Sequence, residues 1–354
     1  MSFALPSLPL VCPQLAECGL RLASEVDAFT VEEVPAYLPV REGPHLWVWL
    51  EKEGWATPPA VRALARAAGV PERDLGIAGL KDKVALTRQW VSLPDNARDP
   101  ASWHLPEGLR VLEVSRHRNK LKRGQLHGNR FRLRFVADQG LQVDHLQTLP
   151  ALVQQRGLIN AFGPQRFGVE RNNVEQALAW LQRGPSSGPK ERFYRSFFPS
   201  VLQSFVFQHY AALRVAAGWD RPLRGEVVRL AGTGSFFRVE DVEAEQPRWD
   251  KLDLLPTGPL PGAKGVHADD EAAELEHEAW RASGLDRTGI LAAIAPLAPG
   301  ARRDVRLFPE DLRCEGEVGG NSLTLSFTLP AGAYATVVAR EWTHRFDPRE
   351  EGAG

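Results

Sequence analysis

Residues 78–90 read AGLKDKVALTRQW, and within them Lys81, Asp82 and Lys83 set one carboxylate between two cations. A carboxylate kept ionised by neighbouring positive charge can act as a nucleophile. A charged triplet between two apolar runs is also what a surface turn requires, and aspartate is common in turns. A second concentration of chemistry lies between Val114 and Ala137, where VSRHRNKLKRGQLHGNRFRLRFVA carries eight Lys/Arg and no carboxylate. Such a stretch can neutralise phosphates, and its aromatic residues can stack on unpaired bases. It can equally be the solvated face of a strand joined to a basic loop. The half RHRNKLKRG leads into Gly128-Asn129, where a glycine permits close approach of the backbone to a ligand.

Other signatures fail on inspection. GPSSG (184–188) has the letters of a nucleophile elbow, but a helical segment precedes it and a charged loop follows, where the elbow needs a strand and then a helix. GTGSFF lacks the third glycine of a dinucleotide loop, and GPLPGAKG lacks the Walker spacing and the Ser/Thr after its lysine. The nine histidines show no zincin spacing. Glu32 and Glu33 are adjacent on a strand pattern and must point to opposite faces, so they cannot flank one bond as a hydrolytic pair. DDEAAELEHEAW (269–280) reads as an acidic helix start with favourable dipole placement. No metal or nucleotide cofactor is expected from these patterns.

The elements that must position the charged residues follow from periodicity. HLWVWLEK (45–52) predicts a strand. TPPAVRALARAAG predicts a helix with Thr57 as N-cap, Pro58 at the first position and Gly69 at the end. The runs on either side of Lys81-Asp82-Lys83 read as strands joined by a tight polar turn. NRFRLRFVA (129–137) alternates, with Phe131, Leu133 and Phe135 on one face and Arg130, Arg132 and Arg134 on the other. The middle of the chain is helical in VEQALAWLQRG and PSVLQSFVFQHYAALRVAAG, with GPSSGPKER and LLPTGPLPGAKG as Gly/Pro-rich loops. Strand pattern returns in SLTLSFTL (322–329), and LPAGAYATVVAREW reads as a loop entering a helix. Strand-rich flanks around a helical middle suggest one α+β domain interrupted by an insertion.

The 354 residues carry a net charge of −1, with 43% hydrophobic and 25% charged residues, an ordinary globular balance that names no partner. Cys12, Cys18 and Cys314 form no C-x-x-C pair, which suits a reducing compartment and argues against a disulfide framework. The start, MSFALPSLPLVCPQ, lacks a basic n-region and is broken by prolines, unlike a signal peptide. No uncharged apolar run spans a bilayer. These features together predict a soluble, cytoplasmic protein.

The motifs taken in order resemble the TruD family of tRNA pseudouridine synthases through most of the chain. AGLKDKVALTRQW looks like the family's catalytic motif, in which the aspartate is the nucleophile, here Asp82. RHRNKLKRGQLHGNRF (116–131) is similar to its basic loop and Gly-Asn-x-Phe element, which carries Asn129 and Phe131 over as active-site residues. INAFGPQRFG (159–168) is similar to N-x-F-G-x-Q-R-F-G, the stretch joining the catalytic domain to the inserted one. LAGTGSFF, TGPLPG and LPAGAYATVVARE also fit. Two departures stand out. Tyr334-Ala335-Thr336 replaces the usual F-A-T, and a tyrosine ring can still stack on a base. SEVDAFTVEE matches P-E-D-F-x-V-x-E at Phe29 and Glu33 but lacks the proline and the upstream lysine, Arg21 being the nearest cation.

The resemblance implies an α+β fold: a pseudouridine-synthase catalytic domain with a mixed, mainly antiparallel sheet over 1–155 and 306–354, and an inserted α/β domain over 156–305. It implies an isomerase acting on a uridine of tRNA, the one at position 13, with no cofactor and no obligatory protein partner. Asp82 attacks, Asn129 orients Asp82 or the flipped nucleotide, and Phe131 and Tyr334 pack on the base. Lys81, Glu33 and Arg340 support the site. Lys120, Lys122 and Arg123 hold phosphates, and Gln165, Arg166 and Phe167 shape a cleft at the domain junction. The chemistry agrees, because detaching uracil at N1 and rejoining it through C5 imports no group and changes no oxidation state. A non-catalytic RNA-binding protein on the same scaffold is the alternative, and the carboxylate at residue 82 speaks against it.

Overall fold

The protein, described here by a computed structural model, is defined over residues 3–13, 19–168, 170–184, 189–286 and 289–345. It divides into two compact units. The first comprises Leu15–Gln154 with Pro309–Ala335, and the second Met1–Gln14, Gln155–Phe308 and Thr336–Asp347. In chain order, the first strands and helices are β1 (Arg21–Leu22), β2 (Phe29–Pro35), β3 (His45–Glu53), α1 (Thr57–Ala68), β4 (Gly76–Ile77), β5 (Leu86–Pro94), β6 (Leu109–His117), β7 (Leu126–Val136) and α2 (Leu149–Arg156). Next come β8 (Leu158–Ile159), α3 (Asn173–Arg183), α4 (Pro189–Ala216), β9 (Val227–Leu230), β10 (Phe236–Arg238), α5 (Val242–Asp250), β11 (Leu254–Leu260), α6 (Asp270–Ser283) and α7 (Ile290–Ile294). The chain finishes with β12 (Ala301–Asp304), β13 (Arg306–Leu307), β14 (Glu310–Gly316), β15 (Ser322–Pro330) and α8 (Ala335–Thr343).

The first unit is built on a nine-stranded sheet in the order β14-β15-β7-β2-β5-β3-β6, with β1 added beside β7 and β4 beside β5. Every pairing is antiparallel except β2 with β5. The alternation expected of β7 holds: Phe131, Leu133 and Phe135 are buried, while Arg130 and Arg132 face solvent. Helix α1 packs Ala60, Leu64 and Ala68 against Val48 and Leu50 of β3 and Val91 and Leu93 of β5. Its end is as expected, with Gly69 at φ 70° in the left-handed region. Its start is not. Ala56 is the cap and Thr57 the first helical residue, because the Thr57 hydroxyl is engaged elsewhere, by Gln89 and by the Lys81 N–H.

The tight turn expected at Lys81-Asp82-Lys83 is also corrected. Gly76 pairs with Ser92 and Ile77 with Val91, which leaves residues 78–85 as a wide loop between β4 and β5. Side chains rather than cross-strand bonds hold its backbone.

In the second unit, four strands in the order β10-β9-β11-β12 form a sheet, and β8 pairs with β13. Here LLPTGPL, expected as a loop, is strand β11. Its prolines are tolerated because the strand changes partner along its length: Leu254–Pro256 pair with β9, and pairing with β12 begins at Thr257. Gly258 is required by packing, since a Cβ there would lie 2.5 Å from Cδ1 of Tyr210 on α4. PKER, also expected as loop, begins helix α4. Residues 185–188 of GPSSG, and Cys18, lie outside the described residues. Arg214 on α4 and Glu226 form an ion pair at 2.6 Å with both side chains fully buried. Among the described residues no helix is long and apolar enough to cross a membrane.

Candidate active site

The loop over residues 78–85 exposes Leu80, Asp82, Lys83 and Val84 while its backbone is gripped from the core. Four side chains of the first unit do this. Gln89 on β5 donates from Nε2 to the Gly79 carbonyl at 3.3 Å. The Lys81 N–H donates to Oγ1 of Thr57 at 2.9 Å, and Thr57 in turn donates to Oε1 of Gln89 at 2.8 Å. Lys52 on β3 donates from Nζ to the carbonyls of Asp82 at 2.7 Å and Trp55 at 2.6 Å, with the Lys81 carbonyl at 3.5 Å. Glu33 on β2 holds the Lys81 ammonium at 2.7 Å through Oε2 and accepts the Trp90 N–H at 3.3 Å through Oε1. The Asp82 carboxylate itself has no hydrogen-bond or ion-pair partner among the described residues and points into solvent.

This geometry revises the expected electrostatics. Lys81, expected beside the nucleophile, has its ammonium turned inward onto Glu33, and both side chains are buried. The cation that faces Asp82 electrostatically from the core is Lys52, which sequence reasoning missed. Burial pushes the Lys52 ammonium down to about 8, and the Asp82 carboxylate opposes that push. A signal for it existed: Val48, Leu50 and Lys52 share the parity of β3 that packs under α1, so a lysine there is out of character with its face.

Asn129 lies on β7 opposite Glu33 of β2 and Leu329 of β15, so the sheet register brings Glu33, Asn129 and the Lys81 ammonium together. Oδ1 of Asn129 is buried and accepts no hydrogen bond among the described residues. A buried acceptor without a donor costs about 1–3 kcal/mol, which a bound ligand can relieve. Phe131 follows on the same face, 7% exposed, stacked on Phe327 at 5.5 Å and edge-on to Phe29 at 6.3 Å. Gly128 serves the sheet rather than a ligand: a Cβ there would meet the Leu329 carbonyl oxygen at 2.2 Å. Tyr334, half-buried, sits in the segment between β15 and α8. Glu32 points to the opposite face from Glu33 and pairs with Arg88 and Arg130, so the two do not act as one dyad.

The basic loop is tied to the Asp82 loop. Gly124 N–H donates to the Ala78 carbonyl at 2.9 Å, and the indole of Trp47 donates to the Asn119 carbonyl at 3.0 Å. Of the eight cations between Val114 and Ala137, Arg116 pairs with Asp95, Arg118 with Glu42, Arg130 with Glu32, and Arg134 with Glu25 and Asp27. Lys120 donates to the Arg73 carbonyl at 2.9 Å. Lys122 and Arg123 are exposed and carry no ion pair among the described residues. With Lys120, Ile77 and Leu80 they line an open groove of about 440 Å³. Arg21, the nearest N-terminal cation in sequence, pairs with Asp138 and sits opposite Val136, the far end of β7 from Asn129.

The remaining expected residues belong to the second unit. Arg340 on α8 bonds the carbonyls of Leu8 and Pro9, and burial lowers its guanidinium from the usual arginine range. Gln165 is exposed. Arg166 donates to Oγ of Ser204 at 3.0 Å, and Phe167 is buried edge-on to Phe205 at 6.2 Å.

Comparison with known proteins places the whole arrangement. The family model of tRNA pseudouridine synthase D (TruD) matches residues 9–184 and 191–342. The tRNA pseudouridine synthase D of Anaeromyxobacter sp. (strain Fw109-5) is 42% identical over 339 residues, covering 94% of this chain and 95% of the relative. That of Thermus thermophilus is 38% identical over 335 residues, covering 94% and 91%. A crystal structure titled as the putative tRNA pseudouridine synthase D of Methanosarcina mazei superposes with a TM-score of 0.68 at 25% identity, covering 96% of this chain and 97% of that one. The mixed, mainly antiparallel α+β fold and the motifs around Asp82 and Asn129 thus have one source: the chain belongs to the tRNA pseudouridine synthase D family, isomerases that convert uridine in tRNA to pseudouridine.

Proposed function

We propose that the protein isomerises the uridine at position 13 of tRNA, with Asp82 as the nucleophile. The observation that carries this is the loop over residues 78–85. Its backbone is fixed by Lys52, Thr57, Gln89 and the Glu33–Lys81 pair, and its one carboxylate is left exposed and unpartnered among the described residues. A turn aspartate serving only structure caps a backbone N–H; this one caps none among the described residues.

In this reading the uridine leaves its stack, at a cost of a few kcal/mol, and aromatic packing with phosphate contacts offsets that cost. Asp82 attacks the nucleotide and the N1–C1′ bond breaks; the freed uracil turns and joins C1′ through C5, the bond to Asp82 breaks, and the C5 proton leaves while N1 takes one up. The buried Oδ1 of Asn129 receives a donor of the nucleotide, Tyr334 packs on the base, and Phe131 backs the pocket from the core. Lys122 and Arg123, with Lys120, engage phosphates along the groove beside Leu80. Glu33 and Lys81 brace the loop from below. Arg340, Gln165, Arg166 and Phe167 contribute RNA-facing and supporting surface on the second unit. The catalytic domain is assigned to 1–155 and 306–354 and the insertion to 156–305. The enzyme works in the cytoplasm, without a cofactor or an obligatory protein partner.

The test is a pseudouridine map of bulk tRNA lacking the modification after treatment with purified, chelator-dialysed protein. New pseudouridine at position 13 alone is expected. Pseudouridine at another position overturns the site assignment, and binding without conversion overturns the enzymatic reading.

A further inference from the structure

Lys52 is the unusual charge of the first unit. It is fully buried, and no carboxylate lies within ion-pair distance of its ammonium among the described residues. Backbone carbonyls take its protons instead: Trp55 at 2.6 Å, Asp82 at 2.7 Å and, more weakly, Lys81 at 3.5 Å. A lysine used only for packing runs its stem along apolar surface and keeps its head in water. Burying an ammonium costs several kcal/mol, and an apolar residue of the same length would fill that space without the cost. The charge itself is therefore what the site retains.

We infer that Lys52 is a positioning residue for the reaction: by clamping the Trp55 and Asp82 carbonyls it sets the peptide that carries the nucleophile. The inference rests on Asp82 being that nucleophile. The clamp has two consequences. The Asp82 peptide is fixed from the core side, so its side chain is directed outward with no hydrogen bond among the described residues that would have to break before attack. A positive charge also remains on the core side of the peptide that carries the carboxylate. Lys81 does not supply that charge, being neutralised by Glu33 at 2.7 Å. Of the groups around Lys52, Lys81 and Asp82 belong to the same loop and Glu33 to β2. Thr87 and Gln89 of β5 and Thr57 of α1 do not titrate.

The test compares the parent with Lys52→Met, Lys52→Arg and Asp82→Asn, reading single-turnover pseudouridine formation, tRNA affinity and thermal melting from pH 7 to 9. Lys52→Met is expected to slow the single turnover by roughly 10²-fold, the scale of misplacing a reacting group by about 1 Å. Its tRNA affinity stays within about threefold of the parent, since the tRNA phosphates are held elsewhere. Lys52→Arg, which keeps a charge that does not titrate below pH 12, restores part of the rate and holds it to higher pH than the parent. Single-turnover rates for Lys52→Met within about threefold of the parent, or Lys52→Arg no faster than Lys52→Met, would overturn the inference. Should Lys52→Met not fold, Lys52→Arg decides: rate held to higher pH supports the clamp, and a profile identical to the parent's overturns it. An inactive Asp82→Asn beside a fully active Lys52→Met sinks only the Lys52 assignment, whereas an active Asp82→Asn sinks the nucleophile reading beneath it.

Discussion

Replacing Lys81 with methionine removes one half of a buried ion pair and leaves the other in place. The Lys81 and Glu33 side chains are 3% and 0% exposed, and the pair distance is 2.7 Å. Without the ammonium, the Glu33 carboxylate keeps, among the described residues, only the Trp90 N–H at 3.3 Å. Stranding a buried charge in this way costs about 3–5 kcal/mol, far more than the pair itself adds to stability. For a unit of this size each kcal/mol moves the melting temperature by about 2–4 °C, so a fall of about 6–20 °C is expected. The double variant Glu33→Leu with Lys81→Met removes both charges and should recover most of that loss, a coupling of about 2–4 kcal/mol. The assay is thermal melting followed by tryptophan fluorescence, with Trp47 and Trp90 packed together close to the pair as reporters. Arg62→Met serves as the control, because its partner Glu72 is at 3.8 Å and both side chains are half-exposed. That substitution should cost no more than about 1 kcal/mol. A Lys81→Met effect no larger than the Arg62→Met effect, or a double variant worse than the sum of its singles, would refute the idea that this pair anchors the loop over residues 78–85.

Two further outcomes follow from the same structure. Lys122→Ala with Arg123→Ala should weaken tRNA binding and reduce the slope of log affinity against log salt by about 1.4–1.8, roughly 0.7–0.9 for each lost phosphate contact; an unchanged slope places the phosphate track elsewhere. Glu341 is pushed by burial from its ordinary 4.5 up to about 7, although the Val11 N–H and Arg340 pull it down. The native state therefore binds more protons than the unfolded chain between those values, and this contribution to stability is lost as pH rises from about 4.5 to about 7. Glu341→Gln should gain on the parent by on the order of 3 kcal/mol between pH 5 and pH 8, read by denaturant unfolding, and equal pH dependence in the two proteins would contradict it.

What can be read from residues alone, and what cannot, has a physical pattern. The alternation of β7 is visible because Phe131, Leu133 and Phe135 repeat with the period of a strand, and the Gly69 cap is visible because only the left-handed region explains a glycine there. The identity of Asp82 comes from motif resemblance, since a charged triplet alone does not separate a turn from a nucleophile. The clamp around it is invisible in sequence because Glu33, Lys52, Thr57 and Gln89 come from four separate elements and meet only through strand register. Thr57 has a good local use as a helix cap, and a non-local one prevails. β11 reads as a loop for a related reason: the change of partner that accommodates Pro256 and Pro259 depends on β9 and β12, neither of which is near in sequence. Gly128 looks like a place for a ligand because close approach is legible, but not what approaches, which is the Leu329 carbonyl.

The most direct test of the account is Asp82→Asn, assayed by single-turnover pseudouridine formation beside tRNA affinity and a thermal melt. The substitution keeps the size of the side chain and removes the charge that attacks in the proposed mechanism, while the Lys52, Thr57 and Gln89 bonds to the loop backbone are untouched. Conversion should fall by many orders of magnitude, as it does when a nucleophile is lost. The melting temperature should hold, and tRNA affinity should stay level or tighten slightly, because a negative charge that would repel the tRNA phosphates is removed. A variant that converts uridine at near-parental rate would contradict the account and reduce Asp82 to a turn residue.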